Sequence, residues 1–589
     1  MSLIERRRPP FNADLLLRVG LVWLVVSAIF LTIKWPAIMS LQLPDADDTL
    51  RLVQLRDLVA GQSWFDLHQY RIDPPHGVLM HWSRLVDAPL LLVYSLLAPL
   101  LGAGLAERVT LVAVPLLTLG AALLLAGRLA WRMFGEETVF YACLVLALAS
   151  AVAGQLQPLR IDHHGWQIVC VLAALNGLAA RSERTGGRVA GLALGLGMTI
   201  SLELLPIAAL FGAVLAWRWL RDPKANALCV HFVRTLAGTG VAAFLATRGF
   251  ADLASHCDTL SPAYLAGLGV AAIGLTLLSL AAPLPRPAFA LGLAVSGAAA
   301  IGAMLAIAPQ CASGPFVALD PLVQQYWYAN VREGMPIWRQ DFTIILRLIV
   351  PPLVGLWAAL QLWLRSAGWL RRFWGEYAVI AVGILLLALV VSRSAAFAAA
   401  VSAVPLGWLL REWRRRALNM RRPAQRLALF TASVLVVMPD LPLTAAKLIN
   451  PARAAPVQSA QFVCDIPAAA ALRGKAPATI FAPIDNGPML LLHTRHSVVA
   501  TAHHRAAHAL HDTIAAFIAE PAEAEAIVRS HGARYVAICP GLAEAAIYRQ
   551  AAPTGLMASL SKDQAPAWLR PVPLPRQSGL LLWEVLPPR

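Results

Sequence analysis

Apolar runs long enough to cross a bilayer recur along this chain, and they constrain its class before any single residue is weighed. A helix crossing the hydrocarbon core needs about 20 predominantly apolar residues. Runs of that kind lie near 15–33, 109–127, 138–156, 165–180, 189–203, 206–220, 227–247, 264–282, 288–308, 342–363, 377–391, 395–411 and 427–443. Hydrophobic residues make up 58% of the 589 and charged residues only 14%. Both figures exclude an ordinary soluble domain and predict a polytopic α-helical membrane protein with about 13 transmembrane helices. The formal charge of +16 does not point to nucleic acid. The basic residues mostly sit in short segments between apolar runs, where they set topology.

The run at 15–33 follows Arg6, Arg7 and Arg8 but ends without a small-residue cleavage site. It reads as a retained anchor with a cytoplasmic N-terminus. The basic loops around Arg128, Arg184, Arg221, Arg286, Arg371 and Arg411–Arg426 then all fall in the cytoplasm. This holds only if the short run at 88–102, which carries Pro89 and Pro99, is a juxtamembrane or re-entrant helix on the outer side. The expected organisation is a transmembrane domain, 1–446, with external loops at 34–108 and 309–341. A second domain, 447–589, follows on the same outer face, the periplasm of a bacterial inner membrane. Its strands near 479–484 and 534–538 and its helix at 521–532 predict a periplasmic α/β domain. Four cysteines fall outside, where the compartment is oxidising, so Cys257–Cys311 and Cys464–Cys539 are plausible pairs.

Two clusters at the outer face invite chemistry. Asp45, Asp47 and Asp48 follow the first span, and three carboxylates together repel unless a cation or proton joins them. The bland alternative is helix capping by Asp45 or Asp47. Asp162, His163 and His164 sit at the mouth of a later span, and that mixture suits a divalent metal. Oxygen ligands favour Mg²⁺, while an added imidazole tilts toward Mn²⁺ or Zn²⁺. Glu203 lies near an outer helix end, where a carboxylate is costly unless paired, protonated or solvated. His504, His508 and His511 share one helical face by spacing, with His493, His496 and His503 nearby, and read mainly as solvated or acceptor-facing groups.

This layout resembles the GT-C glycosyltransferase superfamily, and within it the catalytic subunit of oligosaccharyltransferase. The D-A-D of Asp45 and Asp47 is similar to that family's first acidic motif, and the D-H-H of Asp162–His164 to its second. N-V-R-E-G-M-P (330–336) resembles the family's S-V-S-E-x-x-P segment, with Glu333 and Pro336 in register. Arg393 occupies the place of an arginine that contacts the donor's phosphate. The acceptor motif W-W-D-Y-G departs: here A-P-I-D-N-G-P keeps Asp485 and Gly487 around Asn486 but lacks the tryptophans.

The resemblance implies an inverting transferase. It would move a sugar or oligosaccharide from a polyprenyl-phosphate or -pyrophosphate donor to a glycan, lipid or protein acceptor. Asp47, with Asp45, would be catalytic; Asp47, Asp162 and His164 would hold Mg²⁺ or Mn²⁺. Arg393 and Glu333 would meet the donor phosphate, and Asp485, Asn486 and Gly487 the acceptor. Glu203, His163 and Asp48 are further candidates. The missing tryptophans argue against asparagine as acceptor. A secondary transporter is the competing class, but its binding charges gather near the bilayer midplane; here they cluster at one face.

Overall fold

The computed structural model describes residues 12–316, 319–449, 470–574 and 579–588. They divide into two compact units. The first comprises Met1–Gln42, Trp82–Pro315 and Arg332–Ile449; the second comprises Leu43–His81, Phe316–Val331 and Asn450–Arg589.

The first unit is helical. Among the described residues, ten helices are long and apolar enough to cross a membrane, and a bent pair, Glu136–Leu148 and Ser150–Leu156, makes an eleventh. Every expected span has its helix; those near 165–180 and 427–443 are the shorter His164–Leu178 and Pro423–Val437, and that near 189–203 is Glu183–Ile200, 18 residues long but not among the ten. The run at 88–102 lies in a helix, Arg84–Leu101, that carries both prolines and has the length and composition of a span.

The alanine-rich stretch at 395–400 explains the centre of this unit. It starts the helix Ala395–Leu418, and the span that includes it is 94% buried, against 6% for Arg286–Ile307. Small side chains let neighbours approach closely. Ser402 sits so near Gly355 that a Cβ there would come within 2.4 Å of it. Tyr377 anchors the same helix by donating its hydroxyl hydrogen to the Val401 carbonyl. Cys257 and Cys311 form the expected disulfide; the Cys464–Cys539 pair lies outside the described residues because it includes Cys464.

The second unit is α/β, with a five-stranded sheet in the order Ser497–Val498, Thr479–Phe481, Tyr535–Ile538, Leu581–Val585, Leu569–Pro571. The first three strands run parallel, with helices Ala507–Ile518 and Pro521–Ser530 in the crossover to Tyr535–Ile538; the last two strands pair antiparallel. Ile484, expected at the end of a strand, instead opens a 3-10 turn, Ile484–Asn486. Pro483 ends the strand by fixing φ and removing a backbone donor.

The segment 43–81 belongs to this unit through backbone contacts. Ile72 bridges Val498 in parallel, the Val498 N–H donates to the Arg71 carbonyl at 2.8 Å, and the Asp73 N–H donates to the Val498 carbonyl at 2.9 Å. Arg56 and Arg71 donate to the carbonyls of Leu492 and Leu491, at 2.9 and 3.0 Å. Those carbonyls close the helix Gly487–His493, where cations are favoured.

Candidate functional site

In the first unit, three turns at helix ends bring five of the singled-out residues together. The first turn precedes His164–Leu178. His163 is its N-cap residue and Asp162 stands just before it. Gly165 makes this helix start possible: a Cβ there would lie 2.9 Å from both the Gln155 carbonyl oxygen and Leu156 Cδ2. Glycine is therefore needed for close approach to the preceding helix. Arg160 is tied back to Gln155 by an Nε to Oε1 hydrogen bond of 3.0 Å.

The second turn is the 3-10 segment Leu202–Leu204, whose Glu203 N–H donates to the Ser201 hydroxyl. The third, Ser392–Ser394, links the helices Gly368–Val390 and Ala395–Leu418 and carries Arg393. The Glu333 loop is pinned to that third turn. The Ser392 N–H donates to the Met335 carbonyl at 3.0 Å, and its hydroxyl donates to the Glu333 carbonyl at 3.0 Å.

The charges interlock. Arg393 Nε lies 3.0 Å from Glu203 Oε1, and Arg393 Nη1 lies 3.4 Å from Glu333 Oε1. The other Glu203 oxygen is 3.5 Å from His164 Nδ1, and Asp162 Oδ2 is 3.4 Å from His164 Nε2. Asp162 Oδ1 is 2.5 Å from His163 Nδ1. Exposure grades across the cluster: the Asp162, His163 and His164 side chains are 1%, 8% and 6% exposed, those of Arg393 and Glu203 about a quarter, and Glu333 42%. The buried end suits a cation, and the open end can meet a ligand.

Asp162, His163 and His164 each offer one ligand atom, and these atoms all lie within 4.8 Å of one another. One carboxylate and two imidazoles fit a divalent transition metal better than Mg²⁺. Each imidazole must offer a lone pair, so the ring nitrogen not facing the metal carries the proton. For His164 the acceptor of Nδ1–H is Gln167 Oε1, at 3.2 Å, with the Glu203 carboxylate beside it at 3.5 Å.

The remaining candidates lie in the second unit. Asp45 is the N-cap of the helix Ala46–Val59, its side chain accepting from the Asp48 N–H at 3.0 Å. Asp48 is fully buried and Asp47 is partly exposed in the first turn of the same helix. Asp485, Asn486 and Gly487 form the turn into Gly487–His493. Gly487 permits that turn, since its Cβ would sit 2.5 Å from the Ala500 carbonyl oxygen. Asn486 is 1% exposed, and its side-chain amide has no hydrogen-bond partner among the described residues.

Glu544 holds this turn in place and was not anticipated. Its two oxygens accept the Ile484 and Asp485 N–H groups, both at 2.8 Å, while Tyr548 donates its hydroxyl hydrogen at 2.6 Å. The only hint in the sequence is the i, i+4 spacing of Glu544 and Tyr548. The histidines expected on one face part company. His504 packs edge-on against Phe316, His511 pairs with Asp320 at 2.9 Å, and His508 faces Asp512 at 3.4 Å. Asp512 also pairs with His531, at 2.9 Å.

No protein-family model matches the sequence, and no curated protein matches it. Solved structures do match in fold. The archaeal oligosaccharyltransferase AglB from Archaeoglobus fulgidus, in complex with an inhibitory peptide and a dolichol-phosphate, superimposes with a TM-score of 0.67. That match is 13% identical in sequence and covers 94% of this chain and 72% of the archaeal one. An Archaeoglobus fulgidus oligosaccharyltransferase tethered to an acceptor peptide containing the NVT sequon gives 0.67 at 14% identity, covering 92% and 72%. One complexed with Zn and sulfate gives 0.59 at 14% identity, covering 91% and 70%. The chain is therefore a multi-pass membrane protein with a GT-C fold. Within that class its fold is of the oligosaccharyltransferase type.

Proposed function

We propose that the chain is an inverting glycosyltransferase. It takes a sugar or oligosaccharide from a polyprenyl-phosphate or -pyrophosphate donor and delivers it to an acceptor at the periplasmic face of a bacterial inner membrane. The observation that carries this reading is the interlocked cluster of Asp162, His164, Glu203, Arg393 and Glu333 at one end of the spans. A lipid-borne donor presents its phosphate at such a boundary. The Cys257–Cys311 disulfide supports an oxidising compartment on the side that carries it. Basic loops support a cytoplasmic N-terminus.

Chemically, the acceptor oxygen bonds to the donor's anomeric carbon as that carbon's bond to the phosphate oxygen breaks. The phosphate leaves with the electron pair, and the acceptor's proton passes to Asp47, the general base. Arg393 receives the leaving phosphate with its forked, permanently charged guanidinium, and the low-dielectric boundary strengthens that contact. Before the donor arrives, Glu203 and Glu333 hold the guanidinium in place, and Glu203 also faces His164. A divalent cation held by Asp162, His163 and His164 would supply further positive charge for the leaving phosphate.

Asp485, Asn486 and Gly487 receive the acceptor. The buried, unpartnered amide of Asn486 supports a polar acceptor group there. A hydroxyl on a glycan or lipid fits better than a sequon asparagine, because the sequence lacks the motif's tryptophans.

The test supplies purified protein with a labelled polyprenyl-linked sugar, a divalent cation and candidate glycan, lipid or peptide acceptors. Transfer that needs the cation and is lost in Asp47→Asn is expected. Transfer unchanged by chelation and by Asp47→Asn would remove the assigned base and metal.

A further inference from the structure

A cavity of about 980 Å³ opens among the helices Leu205–Arg221, Phe342–Arg365 and Gly368–Val390. It is remote from the donor cluster along these same elements. Leu205–Arg221 begins beside Glu203 and ends at Arg221. Gly368–Val390 begins near Arg371 and Arg372 and leads into Arg393. At 1.5 Å per residue these helices separate their ends by about 25–35 Å. The cavity therefore serves the opposite membrane surface.

Its walls are apolar stripes at helical spacing. Leu210, Ala213 and Trp217 line one side, and Gly375, Val379 and Val382 line the other. The deep end is shut where Leu210 presses on Gly383, so tightly that a Cβ there would come within 2.4 Å of the leucine. From Leu210 to Arg221 the helix covers about 16 Å, close to the depth of one leaflet's hydrocarbon.

The mouth is basic. Four guanidiniums, Arg218, Arg221, Arg371 and Arg372, face two carboxylates, Asp222 and Glu376. Arg218 is taken up by Glu183 at 2.5 Å and Glu376 at 3.7 Å, and Arg371 lies over the Trp363 ring at 5.7 Å. Arg221 and Arg372 remain exposed at the rim. An apolar slot one leaflet deep is favourably filled by an acyl chain. A surplus of arginine at its mouth favours a phosphodiester, since guanidiniums match its oxygens in pairs.

We propose that this cavity holds an anionic glycerophospholipid of the adjoining leaflet. One acyl chain lies along the Leu210–Trp217 and Val379–Val382 walls, and the phosphate sits among Arg221, Arg371 and Arg372. The site is independent of the proposed transferase reaction.

Native mass spectrometry of the full chain tests it, with equal amounts of phosphatidylglycerol and phosphatidylcholine in the micelle. Preferential retention of phosphatidylglycerol is expected. The double variant Arg221→Gln/Arg372→Gln should cut that preference, by about fivefold per arginine. Ala213→Phe, which fills the slot and leaves the rim intact, should lower retention of phosphatidylglycerol to the level of phosphatidylcholine. Equal retention of the two lipids by the unaltered chain would overturn the proposal. So would a preference that survives both variants, because rim arginines that merely snorkel need no slot.

Discussion

Arg393 Nε lies 3.0 Å from Glu203 Oε1, across two turns separated by about a third of the chain. The same carboxylate reaches His164 with its other oxygen, at 3.5 Å. Glu203 thus couples the cation expected to meet a leaving phosphate to an imidazole expected to ligate a metal. Its neutral isostere removes both attractions without removing volume. Glu203→Gln is expected to lower kcat about tenfold and to weaken metal affinity by a similar factor, as loss of an outer-shell partner does. Steady-state kinetics and a metal titration on the same protein check this, and an effect on neither would leave Glu203 a bystander.

Gly165 sets the D-H-H turn against the preceding helix. Gly165→Ala places a methyl 2.9 Å from the Gln155 carbonyl oxygen and is expected to cost about 1–3 kcal/mol through forced repacking. The displaced turn should also lose metal affinity. Thermal unfolding in detergent with and without the cation reads both effects.

Asp45 separates capping from catalysis. Its side chain accepts the Asp48 N–H at 3.0 Å, and asparagine preserves that bond while removing the charge. Asp45→Asn is expected to keep stability, whereas Asp45→Ala should lose about 1 kcal/mol. Activity of Asp45→Asn then reports the charge alone, and transfer assays on the two variants measure it.

Glu544 gives the acceptor turn a pH dependence. Burial, and then the charge of Asp485, push its carboxyl up to about 8, from an ordinary value of 4.5. The folded chain then binds this proton more tightly than the unfolded chain. The group's contribution to stability is full below about pH 4.5 and is lost as pH rises through about 8. Hydrogen exchange at the Ile484 and Asp485 amides, corrected for the intrinsic rate, should show protection falling across that window. Glu544→Gln should flatten the profile.

The spans, the capping alternative for Asp45 and the outline of the α/β domain were legible in the sequence because each rests on local periodicity or local chemistry. The D-H-H turn was legible as a motif, but the need for glycine at 165 was not, since it arises from contact with Gln155. Glu203 was visible only as a costly carboxylate near a helix end; its role depends on Arg393, 190 residues away in sequence. Glu544 was missed because its i, i+4 spacing with Tyr548 does not reveal that its other partners are backbone amides about 60 residues upstream. The short run at 88–102 is helical despite its prolines. They sit within a continuous helix, Arg84–Leu101, where neighbouring groups can satisfy the backbone they disturb.

The most direct test of glycosyl transfer is single-turnover release of the lipid phosphate from a labelled polyprenyl-linked sugar. Release is expected from the unaltered chain in the presence of acceptor and cation. Arg393→Ala should slow it by about 10²–10³-fold, as expected for removal of one stabilising donor, and Arg393→Lys should restore only part of that loss. Release at an unaltered rate in Arg393→Ala would contradict a transferase site built on the Asp162, Glu203 and Arg393 cluster.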